Sequence, residues 1–306
     1  MPHAKKGRRS RRKQYYITFF SKNQEDLNNI GILLQGICLR RRRETRQNPE
    51  SGDKTLTVRE FYEYLNRQIP PELSLDGDCD GISCSADPDR EVKRVLIALD
   101  VNSAVIDEAI EEGCEVILTH HPMLWGGLRE VVAGTPASDR VIRLIRSGIT
   151  AMSFHTRLDV AEGGVNDILA GMLGLSEVSR FGEKGIGRIG RLESPLTAEM
   201  LALKVREALG APFVEYSDTG RLIERVAVCG GSGGSVRKDA AEAGADAFLC
   251  GEIGYHTLAD SNDTSMSILT AGHFYTENPV CGRLFELTAE AGLTPVAVLS
   301  NRSGAV

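Results

Sequence analysis

Five of the six histidines (His120, His121, His155, His256 and His273) fall in one stretch of chain, each in or beside a motif that could do chemistry. Thr119-His120-His121-Pro122 sets two imidazoles side by side where the proline encourages the chain to turn. His155-x3-Asp159 and His273-x3-Glu277 each place an imidazole four residues before a carboxylate. A strand end followed by a turn lets such a pair converge on one point. Mixed imidazole and carboxylate donors suit Zn, Mn, Fe or Ni, and do not favour Ca or Cu(I). The candidate ligands are His120, His121, Asp159, His273 and Glu277, with His155 and His256 in reserve. Five donors are too many for one open tetrahedral ion and enough for two.

Two further motifs stand at strand ends. Gly230-Gly231-Ser232-Gly233-Gly234-Ser235 could aim backbone N–H groups at an anion, although no Lys-Ser/Thr follows as in a P-loop. Gly251-Glu252-Ile253-Gly254-Tyr255-His256 offers Glu252 and His256 as general acid or base, or as groups that orient a ligand.

The elements that must position these residues are legible from Thr55 onward. Val58, Phe61 and Leu65 have helical spacing within 57–67, and Pro70-Pro71 closes that helix. Residues 76–89, rich in Asp, Gly and Cys, read as a loop. Strand 94–101, helix 103–113 and strand 115–119 form a parallel unit, continued by helix 138–146, strand 149–154 and helix 166–173. A strand near 187–191 and a helix 197–209 lead to a second series: strand 225–229, helix 235–243, strands 246–250 and 267–271, helix 277–291 and strand 295–299. Residues 94–121 align without a gap on 225–252, with Arg94/Arg225, Val105/Val236, Ala109/Ala240, Gly113/Gly244 and Leu118/Leu249 among the identities. The His-x3-acid spacing recurs after the third strand of each series. The expected class is therefore α/β (mixed α+β): two related half-domains, 55–185 and 186–306, with helices packed on mixed sheets and the metal site between them. Ligands gather at the carboxyl ends of strands in such folds.

Charge separates a third region. Residues 1–54 hold 14 Lys+Arg and 5 Asp+Glu, a balance of +9, which leaves 22 basic and 37 acidic residues, or −15, for the body. Nucleic acid would therefore meet the chain only through residues 1–54, which read as a disordered or non-native extension. Seven cysteines without C-x-x-C spacing point to a reducing cytoplasm, and C-x4-C at Cys79 and Cys84 is weak evidence for zinc. The apolar stretch 15–20 is too short for a signal peptide, and no apolar run is long enough for a spanning helix.

The motifs LTHHP (118–122), SFHTRLDVAEGGVND (153–167), RVAVCGGSGGS (225–235), GEIGYHTLAD (251–260) and AGHFYTE (271–277) together resemble the GTP cyclohydrolase 1 type 2-like family, also called dinuclear-metal-centre hexameric proteins. The resemblance implies two divalent ions per chain held by His120, His121, Asp159, His273 and Glu277, with His155 and His256 near them. It further implies a toroidal homohexamer whose sites face an inner cavity. The family's usual Trp-Asp-Asn is replaced around Gly77-Asp78-Cys79-Asp80-Gly81, and residues 189–225 leave no room for the extra domain of longer relatives. Two function classes follow. One is a metal-dependent hydrolase, with Glu277 as bridging ligand and His155, His256 or Glu252 moving protons, acting on GTP with loss of formate or on a phosphoester. The other is a non-enzymatic, ring-shaped binding or regulatory protein in which metals are structural pins.

Overall fold

Four consecutive apolar side chains cannot all lie on one face of a strand, so Val95-Leu96-Ile97-Ala98 demands cover on both sides. All four are buried. The computed structural model describes residues 55–297; the basic segment 1–54 and the end of the last predicted strand lie outside the described residues.

The described chain opens with β1 (Leu56–Thr57) and α1 (Val58–Gln68). The Thr57 hydroxyl accepts from the Glu60 amide at 3.2 Å and the Glu60 carboxylate accepts from the Thr57 amide at 3.0 Å, a reciprocal capping box. Next come β2 (Gly81–Cys84), β3 (Glu91–Val92), β4 (Arg94–Ala98), α2 (Ser103–Glu111), β5 (Val116–Thr119), α3 (Pro136–Ser147), β6 (Thr150–Ser153), α4 (Thr156–Val160) and α5 (Val165–Met172). A connecting region holds β7 (Ser176–Phe181), β8 (Gly187–Leu196), α6 (Ala198–Leu209) and β9 (Glu215–Tyr216). The second series is β10 (Ile223–Cys229), α7 (Arg237–Glu242), β11 (Ala247–Cys250), α8 (Tyr255–Asp260), β12 (Ser267–Thr270) and α9 (His273–Glu277). Last are α10 (Val280–Glu290) and β13 (Thr294–Ala297).

The strands form a mixed five-stranded sheet, β13-β4-β5-β6-β2, and a mixed six-stranded sheet, β7-β8-β10-β11-β12-β9, besides the small β1-β3 pair. Each large sheet has a parallel centre: β13-β4-β5-β6 in one, edged by antiparallel β2, and β10-β11-β12 in the other, flanked by antiparallel β8 and β9. The internal repeat is exact in register. Val95 pairs with Val116 and Ala98 with Thr119, while 131 residues later Val226 pairs with Ala247 and Cys229 with Cys250. The turns match too: Glu115 accepts from the amides of Lys93 and Arg94, as Asp246 accepts from those of Glu224 and Arg225.

Alternation along the central strands divides the cores. Val95 and Ile97 face α1 and α10, packing with Phe61, Leu65 and Leu284, whereas Leu96 and Ala98 face α2 and α3, packing with Ile106 and Leu144. In the second sheet Val226 and Val228 meet α5 and α6, and Ala227 and Cys229 lie with Phe248 and Ala240 of α7.

Two expectations need correction, and one strand was not foreseen. The 76–89 stretch is not all loop, because β2 pairs antiparallel with β6 there. β7 has five exposed residues in six and so lacks the apolar signal of a strand. The predicted helix 277–291 is two helices, and Glu277 ends α9 rather than opening the next. Sheet membership also does not change once along the chain: β7 lies before residue 185 but joins the six-stranded sheet, and β13 returns to pair with β4.

Phe248 is fully buried at the centre of the six-stranded sheet, and Phe213 is 60 % exposed. Phe248→Ala is expected to cost about 3–5 kcal/mol, and Phe213→Ala less than about 0.5 kcal/mol. The urea midpoints of the two variants check this.

Candidate metal centre

The parallel strands deliver their carboxyl ends to one place. β5 ends at His120 and His121, β6 leads to His155 and Asp159 on α4, and β12 leads to His273 and Glu277 on α9. On a single helical turn, residues four apart share a face. His273 and Glu277 therefore meet directly, with Nε2 2.9 Å from Oε2.

His120 is completely buried. Its Nδ1 lies 3.0 Å from the Phe154 carbonyl oxygen, which can only accept, so Nδ1 carries the proton. Its Nε2 then faces inward without a hydrogen-bond partner, 3.7 Å from Asp159 Oδ1 and 3.8 Å from Glu277 Oε1. A buried nitrogen lone pair beside two buried carboxylates is unfavourable unless a cation stands between them.

The other imidazoles are anchored in the same way. His121 Nδ1 is 2.7 Å from Asp100 Oδ1, and its Nε2 is 2.8 Å from Glu277 Oε2. His155 Nδ1 is 2.8 Å from Asp78 Oδ1, and Asp78 also accepts from the Thr156 amide and hydroxyl. His273 Nδ1 is 3.3 Å from Glu252 Oε1, and its Nε2 is 3.3 Å from His121 Nε2. Tying Nδ1 to an acceptor fixes both ring orientation and tautomer and raises the basicity of Nε2, the usual preparation of a metal-binding histidine.

Among the described residues, three groups could hold a metal ion: His120-His121-His155, His121-His273-Glu277 and His120-Asp159-Glu277. Glu277 belongs to two of them and divides its oxygens, Oε2 toward His121 and His273 and Oε1 toward His120. Cys79 and Cys84 belong to none.

The electrostatics show the same demand for positive charge. Burial and the Glu277 charge push Asp159 up to about 6, against the pull of His120. Burial would raise Glu277 as well, but the three imidazoles around it, His120, His121 and His273, outweigh it and hold the carboxyl well below its usual range. Burial disfavours the charged form of His121, yet Asp100 and Glu277 raise it to about 10. Protons can meet this demand, and divalent ions would meet it more fully.

In the Gly-rich loop after β10, two of the amides that could have faced an anion are already engaged. Gly230 N donates to Asn166 Oδ1 at 2.8 Å and Gly231 N to Thr276 Oγ1 at 3.1 Å, so those two amides serve the protein. Gly231 has φ +60°, and a Cβ there would collide with Glu277 Oε1 and lie 3.0 Å from His273 Nε2. The glycine leaves room for the carboxylate.

All five expected ligands and His155 converge here. Glu252 touches the cluster only through His273 Nδ1, and exposed His256 stacks against Tyr255 and joins none of the groups. Sequence reasoning missed Asp100, Asp78 and Trp125. Asp100 follows β4 and so sits at a strand end like the ligands, and Asp78 lies in the Asp-rich segment around 76–89. Trp125, with its ring centroid 5.0 Å from that of His155, carried no such signal.

The family model Duf34/NIF3 (NGG1p interacting factor 3) matches residues 56–301. The chain is 35 % identical over 214 residues to a protein of Streptococcus pneumoniae named GTP cyclohydrolase 1 type 2 homolog, covering 67 % of this chain and 80 % of that one. A Streptomyces coelicolor protein of the same name is 34 % identical over 252 residues, covering 78 % and 85 %. The fold is that of Staphylococcus aureus hypothetical protein SA1388, with a TM-score of 0.75 at 23 % identity over 83 % of this chain and 99 % of that one. It is similar as well to ybgI, described as a protein of unknown function, with a TM-score of 0.73 at 26 % identity over 81 % and 100 %.

Two substitutions test how the cluster is held. Gly231→Ala should displace the Glu277 carboxylate and lower bound metal while leaving the circular dichroism spectrum unchanged. Asp100→Asn weakens the anchor of His121 and should cost on the order of 10–100-fold in metal affinity, measured by competition with a chelator.

Proposed function

The chain belongs to the Duf34/NIF3 family, and on that premise we propose that it is a dinuclear metal-dependent hydrolase acting on a nucleotide. The observation that carries this reading is Glu277, a buried carboxylate whose two oxygens face two different sets of donors. His120, His121, Asp159, His273 and Glu277 would hold the ions, with Glu277 as the bridge. Two bound divalent ions lower the pKa of a water toward ~7 and polarise the bond under attack.

The protein's own side chains do the rest. His155 is held through Nδ1 by Asp78, which leaves its Nε2 to take or give a proton beside the ligands. Glu252 is a positioning residue that acts through His273. The name borne by the relatives supports a GTP cyclohydrolase-like reaction, hydrolytic opening of the purine ring with loss of formate. A phosphoester is the second substrate class that the same donors suit. The proposal includes a toroidal homohexamer with its sites facing an inner cavity, and a cytoplasmic location, to which the free thiols of the described cysteines are suited. No helix among the described residues is long and apolar enough to cross a membrane.

Metal-loaded protein is expected to carry close to two divalent equivalents per chain and to release formate from GTP. His120→Ala and Glu277→Ala should each lose metal by elemental analysis, and unchanged content in both would sink the dinuclear reading. Equal formate release by wild type and His273→Ala would sink the GTP reaction, and a phosphoester panel would then decide whether hydrolysis survives.

A further inference from the structure

Trp125 is the only tryptophan in the sequence, and 62 % of it is exposed. Tryptophan is highly buried on average, so this degree of exposure is unusual for the residue. It stands against the site: its ring centroid lies 5.0 Å from that of His155, with the planes 88° apart. The His155 ring lies 5.3 Å from that of His120 and 5.8 Å from that of His121, so the indole is one ring beyond the ligand cluster. The ring it packs against is itself anchored, His155 Nδ1 lying 2.8 Å from Asp78 Oδ1. Immediately after Trp125, Gly126 and Gly127 take φ of +69° and +76°, and the chain turns away.

We propose that Trp125 is a stacking platform for a planar heteroaromatic ring, holding the base of a nucleotide whose reacting part lies at the metal centre. The proposal deepens the hydrolase reading above and rests on it. An indole supplies a wide, uncharged π face, and every nucleobase has a matching one. The cluster beside it supplies imidazole and carboxylate donors, to which the indole adds a flat apolar face. Leu128, Val131 and Val132 are also exposed further along this loop. A second copy of the chain packing there is the competing occupant. Trp125 differs from those three in being seated edge-to-face against a ring of the ligand cluster.

The sole indole makes the test direct, since fluorescence excited at the red edge, where the seven tyrosines do not absorb, reports this position alone. Metal-loaded full-length protein is titrated with GTP, guanosine and inorganic triphosphate. GTP and guanosine should quench saturably, and triphosphate should not. Trp125→Ala should weaken GTP binding by calorimetry on the order of 10-fold or more, with metal content unchanged, and Trp125→Phe should recover most of it. Quenching by triphosphate equal to that by GTP overturns the platform. So does unchanged GTP affinity in Trp125→Ala, or a fall in oligomer mass in that variant with affinity retained. If wild type releases no formate, the GTP ring-opening reading fails separately; saturable quenching by guanosine then still supports the platform, and its absence overturns that too.

Discussion

A buried carboxylate must find positive charge, and Glu277 sets this requirement for the whole centre. It is 5 % exposed, and its oxygens face His121 and His273 on one side and His120 on the other. Asp159, also buried, adds a second negative charge to the His120 side. The loss of hydration around two such groups far exceeds what one neutral imidazole returns. Every nearby feature offsets that loss: imidazoles turned inward, outer acceptors that hold their Nδ1 protons, and room left at Gly231. Remove Glu277 and the two sets of donors no longer share a member.

The duplicated architecture explains how so many donors arrive together. Parallel strands end on the same side of a sheet, so β5 and β6 of one series and β12 of the other can each present a loop to the centre. The two copies have then diverged at matched positions. His120 and His121 correspond, 131 residues on, to Gly251 and Glu252. Gly251 has no room for a side chain, since a Cβ would lie 2.6 Å from the Gly231 carbonyl oxygen and 2.8 Å from His273 Cα. Glu252 has become an anchor for His273. One copy contributes adjacent imidazoles and the other contributes the space that lets them work.

Where the chain was legible, periodicity and side-chain chemistry agreed. Val95 to Ala98 and Val226 to Cys229 read as doubly covered strands because neither face could be polar, and the histidines at strand ends marked the site. β7 was illegible because an edge strand with five exposed residues needs no apolar code. β2 was hidden because Gly81–Cys84 owes its extension to pairing with β6 rather than to propensity. The glycines at 230 and 231 were ambiguous for a related reason: a glycine that frees an amide and a glycine that makes room for a neighbour look alike in sequence. The acids Asp78 and Asp100 could be placed only once the fold set them beside their imidazoles, 77 and 21 residues away in sequence.

The His-x3-acid repeat illustrates how one spacing can serve two ends. In α9 the helical turn brings His273 onto Glu277, and both enter the same donor group. In α4 the same spacing separates its members: Asp159 joins His120 and Glu277, while His155 joins His120 and His121. The difference lies in what waits outside each turn. Asp78 captures His155 Nδ1 and the Thr156 amide together, so it fixes the first turn of α4 and the ring orientation with one carboxylate. Hydrogen bonds from His155 and Thr156 outweigh burial and keep Asp78 ionised. A loop that reads as Asp-rich thus sets the direction of an imidazole in the cluster, as an outer carboxylate does for a histidine whose other nitrogen is kept for a ligand or a proton.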